Sequence, residues 1–222
     1  NLILNIDDEI LNKINVENTN VTTISLKNKN ADFYLSENNF YHNDKRLFSM
    51  KDLKILGRHN AQNVLISLAI CYNYGIIIDT IIFACKNFGG VEHRIEFVRE
   101  LNGIKFYNDS KGTNVDSTIK AIEALEKPII LIVGGYDKNV DFNPLFESFN
   151  GKVKTLILVG DTKYKFYDSA KKNGFENNII VNDYREVVEK CFEIAENGDN
   201  VLLSPASASW DMFKSYEERG NL

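Results

Sequence analysis

Three short segments carry residue types that can bind or activate an anion: NDSKGTN (108–114), GGYDK (134–138) and SPASASWDMF (204–213). In the first, Asp109, Lys111 and Thr113 precede a helical stretch that Asn114 can cap. Free backbone N–H groups at a helix start, beside a lysine, suit a phosphate or carboxylate. In the second, paired glycines let the backbone pass close to a ligand, and Lys138 supplies a cation. In the third, Ser204, Ser207 and Ser209 can donate to or accept from an anion at the opening of a helix. Each segment also has a plain structural reading: an N-cap, a glycine turn with a surface lysine, and ordinary helix capping. Their shared placement directly after apolar runs favours function over three separate coincidences.

Two further constellations are weaker. Asn60, beside His59, and Asn63 lie at i, i+3 near the start of a helical stretch, and such amides can pair with the N6/N7 edge of adenine. Asparagine is common here, 28 of 222 residues, so the spacing alone carries little. Arg94 follows His93, where a guanidinium could reach a phosphate or ribose; a lone surface arginine is the plainer reading. The patterns HExxH, GxSxG, paired CxxC, GxGxxG and GxxxxGK[ST] do not occur in the chain.

The elements that must position these residues follow from periodicity. Residues 2–5 and 21–26 read as strands with a short helix from Asp7 or Asp8 between them. Residues 31–48 alternate apolar and polar around the turn His42-Asn43-Asp44-Lys45, which predicts antiparallel strands. Val64, Leu65, Leu68, Ala69, Cys71 and Tyr72 recur at helical spacing within 56–75, and Gly75 is a natural C-terminal cap. A helix over 77–87 stops at Gly89-Gly90, the candidate domain boundary, giving domains 1–89 and 90–222. Beyond it, Asn102-Gly103 joins strands 94–101 and 104–108 as a hairpin. Strands at 129–133, 154–159, 178–181 and 200–203 then alternate with helices at 114–125, 142–149, 163–173, 184–196 and 208–218. That alternation predicts an α/β domain with a largely parallel sheet and helices on both faces, whose ligands bind at the carboxyl ends of the strands.

Composition narrows the classes. Hydrophobic residues make up 44% and charged residues 26% of the chain, an ordinary globular balance that argues against global disorder. A net charge of −5 without a block of Lys or Arg argues against nucleic-acid binding. Three scattered cysteines in apolar stretches, Cys71, Cys85 and Cys191, read as reduced core thiols in a cytoplasmic protein. No apolar run reaches the roughly 18 residues a membrane span needs, and the residues from Asn1 onward do not show the basic start, apolar middle and small-residue cleavage site expected of a signal peptide. The chain opens at Asn1 in mid-strand, which reads as a piece of something longer.

Taken in order, LGRHNAQN, FGGVEHRIE, FYNDSKGTN, GGYDKNVDF and LLSPASASWDMFKSYEERGN resemble the Mur ligases of peptidoglycan synthesis, from about Leu2 to Asn221. The resemblance implies that 1–89 is the end of an α/β central ATPase domain and that 90–222 is a Rossmann-like domain for the incoming amino acid. It implies an ATP-dependent, amide-forming ligase, and it is nearest to members that join D-glutamate to UDP-N-acetylmuramoyl-L-alanine through an acyl phosphate. Matched by motif, adenine contacts fall on Asn60 and Asn63, and ribose and phosphate contacts on Arg94 and Asp109. Lys111, Thr113 and Asn114 match the loop facing the acyl phosphate, with Lys111 as the catalytic group. Lys138, Ser209, Trp210 and Tyr216 match positions that hold D-glutamate. The P-loop and the Mg²⁺ ligands are expected upstream of Asn1, so the chain alone is expected to be inactive. Gly112 departs from the family's usual Ala, and Trp210-Asp211 and Tyr216 vary an apolar-aromatic pattern. The alternatives are another ligase of the superfamily, including one that adds glutamate to folate, or a non-catalytic nucleotide-binding module.

Overall fold

In the computed structural model, which describes residues 1–15 and 17–222, contacts group into two units, Asn1–Gly90 and Val91–Leu222. The first is built on a five-stranded sheet. β1 (Leu2–Asn5), β2 (Val21–Ser25) and β3 (Phe33–Ser36) run parallel; β4 (Asn39–His42) and β5 (Lys45–Ser49) then continue from β3 as an antiparallel meander. Its turns place Asn38 and Asn43 in the left-handed region, which short polar side chains tolerate. Helix α1 (Arg58–Asn73) buries Ala61, Val64, Leu65, Leu68 and Ala69, one helical stripe. The stripe packs in one cluster with Ile24, Phe33, Phe40, Phe48 and Ile81 of α2 (Ile78–Asn87). Each of the three phenylalanines is almost wholly removed from water, on the order of 2–3 kcal/mol apiece.

One expectation is met only in part in this unit. The segment after Asp7 is not an α-helix but a single 3₁₀ turn at Leu11–Lys13. Asp7 is committed elsewhere, accepting from the Ser25 hydroxyl and the Leu26 amide. Asp8 Oδ1 accepts from the Ile10 and Leu11 amides at 2.9 Å and its carbonyl from the Asn12 amide at 2.9 Å, a capping pattern that here opens only this single 3₁₀ turn.

The second unit contains β6 (Glu96–Leu101), β7 (Ile104–Asn108), β8 (Ile129–Val133), β9 (Val153–Leu158), β10 (Asn178–Ile180) and β11 (Asn200–Leu203). They form one sheet in the order β10-β9-β8-β11-β7-β6. All neighbours are parallel except β6, which hairpins onto β7 through Asn102 and Gly103, both at positive φ. The continuous apolar run of β8 is buried at every position, as a strand covered on both faces must be. Ile129, Leu131 and Val133 face a cluster with α3 (Val115–Ala124), α4 (Asn143–Glu147) and α5 (Lys163–Lys172). Ile130 and Ile132 face the opposite cluster with α6 (Tyr184–Ile194). The three cysteines are free thiols.

At the carboxyl end of α3, Lys152 donates to three carbonyls, those of Ile122, Glu123 and Leu125, at 3.1, 2.9 and 2.8 Å. A cation there satisfies orphan acceptors and complements the helix dipole. Lys152→Ala is expected to lower unfolding free energy by about 1–2 kcal/mol, read by denaturant titration. A loss below a few tenths of a kcal/mol would show that water replaces the ammonium at no cost.

Candidate functional site

β8, β11 and β7 are consecutive neighbours, so the segments that follow them, 134–138, 204–213 and 108–114, emerge side by side at one sheet edge. Asp109 anchors the first. Its amide donates to the Leu203 carbonyl at 2.7 Å, extending the β7–β11 ladder by one residue. That draws the carboxylate inward, where it is 4% exposed. Oδ2 accepts from Ser204 Oγ at 2.6 Å and Oδ1 from the Ile95 amide at 3.2 Å. Burial pushes this carboxyl up to about 6; the Ser204 and Ile95 hydrogen bonds and the guanidinium charges of Arg94 and Arg219 pull against that rise without cancelling it. A Cβ at Gly112 would collide with the Asp109 carboxylate and stand 2.7 Å from Ser204 Oγ. Glycine at this departure from the family pattern therefore fits the Asp109–Ser204 pair as it stands.

Arg94 is carried on a tight turn in which His93 and Ile95 both have positive φ, 63° and 47°. A β-branched residue in that region is strained, and it is held here by the Ile95 bond to Asp109. The buried His93 ring lies 3.0 Å from Asn108 Nδ2 and edge-on to Tyr216 at 6.1 Å. Lys111 Nζ lies over the Tyr216 ring at 5.6 Å. Asn114 is the N-cap of α3, its Oδ1 accepting from the Ser117 amide at 2.9 Å, and Thr113 sits just before it.

The other two segments interlock. A Cβ at Gly134 would strike the Val159 carbonyl and one at Gly135 the Ala208 carbonyl, so both glycines are required by close backbone approach. Tyr136 then bridges Ala208, its amide donating to the Ala208 carbonyl at 2.9 Å. Across this bridge the Tyr136 and Trp210 rings lie 5.7 Å apart, with Lys138 Nζ 5.0 Å above Trp210. The expected helix over 208–218 is absent: helix α7 spans only Tyr216–Gly220, capped by Ser215. The backbone of 207–209 is taken by the bridge, and Ala206 is held at φ 53°, which no helix continues. The serines accordingly do other work than capping. Ser204 holds Asp109, Ser207 lies 3.4 Å from Thr162 Oγ1, and buried Ser209 closes a turn through its carbonyl to the Phe213 amide at 2.8 Å.

The sheet edge thus gathers Arg94 with Asp109, Lys111 with Tyr216, and Lys138 with Trp210. Arg94, Lys111 and Lys138 are exposed, and none makes an ion pair among the described residues, whereas Lys154 and Lys165 are paired with carboxylates. In the first unit Asn60 and Asn63 share one face of α1, Asn63 Nδ2 donating to Asn60 Oδ1 at 3.1 Å and Asn60 Nδ2 to the Leu56 carbonyl at 2.6 Å. The helix cap is Gly57, so neither amide is a capping group. Among the described residues no cluster of three His, Cys, Asp or Glu groups could hold a metal ion.

Sequence reasoning passed over Arg219. It is 2% exposed, and its guanidinium donates to Ser110 Oγ at 2.9 Å, the Ser110 carbonyl at 2.7 Å and the Ser207 carbonyl at 3.2 Å. The available signal was slight: one arginine in YEERGN, at the end of the last quoted motif.

Exposed cations and one buried carboxylate thus stand at the carboxyl ends of neighbouring strands in a largely parallel α/β sheet. The chain belongs to the Mur ligase family: the Mur ligase glutamate ligase domain matches residues 93–207, and the Mur ligase middle domain matches residues 1–71. Over 196 residues it is 49% identical to UDP-N-acetylmuramoylalanine–D-glutamate ligase of Thermoanaerobacter sp. (strain X514), covering 87% of this chain and 42% of the relative. The ligase of the same name from Clostridioides difficile (strain 630) is 44% identical, covering 98% of this chain and 49% of its own length. The chain therefore spans about half the length of the curated relatives it matches. The crystal structure of MurF ligase from Thermotoga maritima in complex with ADP shares the fold, with a TM-score of 0.63 at 18% identity over 92% of this chain and 49% of that one.

Proposed function

We propose that this chain is part of a cytoplasmic, ATP-dependent ligase that joins D-glutamate to UDP-N-acetylmuramoyl-L-alanine in peptidoglycan synthesis. The observation that carries the reading is the set of unpaired cations, Arg94, Lys111 and Lys138, on three segments at one sheet edge. The reaction handles anions throughout: a nucleoside triphosphate, an acyl phosphate and a dicarboxylic amino acid. The names of the relatives supply the substrates. No described helix is long and apolar enough to cross a membrane.

The chemistry asks this chain for positioning and charge stabilisation. A carboxylate resists attack by an amine until phosphorylation supplies a leaving group. The D-glutamate nitrogen then adds to the acyl carbon, the tetrahedral intermediate collapses, and phosphate departs. We assign Asn60 and Asn63 to adenine, and Arg94 and Asp109 to the ribose and phosphates. Lys111 would stabilise the charge that develops on the acyl phosphate, steered by the Tyr216 ring beneath it, with Thr113 and Asn114 bordering the loop. Lys138, Ser209, Trp210 and Tyr216 would hold D-glutamate. Mg²⁺ is the expected companion of ATP, and among the described residues no cluster of three His, Cys, Asp or Glu groups could hold it.

The test is phosphate release by the full-length protein, expected to require both UDP-N-acetylmuramoyl-L-alanine and D-glutamate. Turnover supported instead by another amino acid, or by a folate acceptor, would overturn the substrate assignment. Lys138 is exposed, so its contact is worth the lower end of a charge-assisted bond, about 1.5 kcal/mol. Lys138→Ala should then lower kcat/KM for D-glutamate about tenfold; unchanged kinetics would remove Lys138 from the amino-acid site.

A further inference from the structure

Arg219 is an expensive way to fill a core. A guanidinium removed from water loses hydration that neutral partners only partly return, and a well-packed apolar side chain of similar volume would be at least as stabilising. The acceptors of its three hydrogen bonds are neutral, although the Asp109 and Asp211 carboxylates and the Tyr184 hydroxyl also act on its charge, and these acceptors come from separate loops: Ser110 is 109 residues away and Ser207 is 12. Ser110 follows β7, and Ser207 follows β11. The loop after β8 meets the same group, since a Cβ at Gly135 would stand 3.2 Å from the Arg219 Nη1 atom and 3.2 Å from the Ser207 Cβ. All three segments that carry the candidate site therefore converge on one planar cation. Ser110 completes the arrangement by donating from Oγ to the Tyr216 carbonyl at 2.8 Å, so it accepts from Arg219 and holds the first residue of α7.

We propose that Arg219 is a positioning residue: its buried guanidinium binds the loop after β7, abuts the loop after β8 and binds the loop after β11, holding Lys111, Lys138 and Ser209 in one register. The proposal rests on the roles assigned to those three residues above. Lys111 is the next residue after Ser110, Lys138 lies three beyond Gly135, and Ser209 lies two beyond Ser207. Lateral freedom in any one loop would separate the group facing the acyl phosphate from those facing the amine. A lysine cannot replace the function: its ammonium is a point donor, whereas the planar fork of arginine reaches separate acceptors in fixed directions. Arg219 is 2% exposed and spends its hydrogen bonds on Ser110 and Ser207, so its proposed part is to position these loops.

The experiment uses the full-length protein carrying Arg219→Lys, Ser110→Ala and both. Arg219→Lys is expected to lower kcat at least tenfold while KM for ATP stays within threefold and the protein remains folded. Ser110→Ala should give a smaller loss, and the double variant should be no worse than Arg219→Lys alone, because both changes open one clamp. Hydrogen exchange, read without substrates, should quicken together over 108–113, 134–137 and 205–209 in Arg219→Lys. Quickening confined to 216–220 would show a helix anchor and overturn the proposal. So would a kcat within twofold of the parent, or losses that simply add. Should Arg219→Lys fail to fold, Ser110→Ala decides on the same exchange pattern. A parent protein with no D-glutamate-dependent turnover would refute the ligase reading, while the exchange pattern would still judge the clamp.

Discussion

Given ATP, Mg²⁺, UDP-N-acetylmuramoyl-L-alanine and D-glutamate, the purified 222-residue chain is expected to release no phosphate above background. Phosphoryl transfer requires a cradle of backbone N–H groups, a lysine on the β/γ-phosphates and a metal ion to neutralise the charge that builds up between them. The pattern GxxxxGK[ST] does not occur in residues 1–222. The described residues offer no metal cluster, and the relatives are about twice as long as the match. The chain's cations can meet an anion, but cations alone do not assemble an in-line transfer. Turnover in a preparation shown free of full-length ligase would overturn this division of labour.

The second large effect concerns the stability cost of Asp109. Its carboxyl is raised from an ordinary value near 4 to about 6, chiefly by burial. The folded chain thus binds more protons here than the unfolded chain between about pH 4 and 6. This group's contribution to stability is fully present below pH 4 and is lost as pH rises through 6. A rise of that size corresponds to on the order of 2–3 kcal/mol. Asp109→Asn keeps an acceptor for the Ile95 amide and carries no charge to desolvate. It should therefore be more stable than the parent at pH 7.5 by on the order of 1–3 kcal/mol, with the gap closing toward pH 4. Urea titrations of both chains across that range read it directly. A variant less stable than the parent at pH 7.5, or a gap indifferent to pH, would show that the carboxylate is held by its partners rather than tolerated. The same substitution should impair turnover of the full-length ligase, since the charge lies beside Arg94.

Much of the architecture was legible because it is written in local periodicity. The unbroken apolar run of β8, the Asn102-Gly103 hairpin and the buried stripe of α1 each follow from one window of sequence. What escaped depends on long-range competition for backbone groups. Residues 208–218 look helical in isolation, yet the Tyr136 bridge claims the backbone at Ala208 first. Asp7 looks like a helix start until Ser25 and Leu26 engage it. At the candidate site, the cationic residues were recognisable by type and position. The inward turn of Asp109 was not, because NDSKGTN reads as a polar, solvated loop. Arg219 was invisible for the related reason that burial of an arginine has no local signature.

The placement of β11 between β7 and β8 has a consequence for synthesis. Strands β8, β9 and β10 are sequential neighbours and can pair as they are made. The ladder that joins β7 to β8 waits for Asn200–Leu203, and the Asp109–Ser204 bond closes a span of 95 residues. Contacts of such separation are slow to form. A nascent chain emerging from the ribosome up to residue 199 would therefore present two open strand edges, those of β7 and β8, each an invitation to pair with a neighbour. Translation speed while Asn200–Leu203 has yet to emerge, and the presence of a chaperone at that moment, should then weigh on the soluble yield of this protein alongside the final stability of its fold.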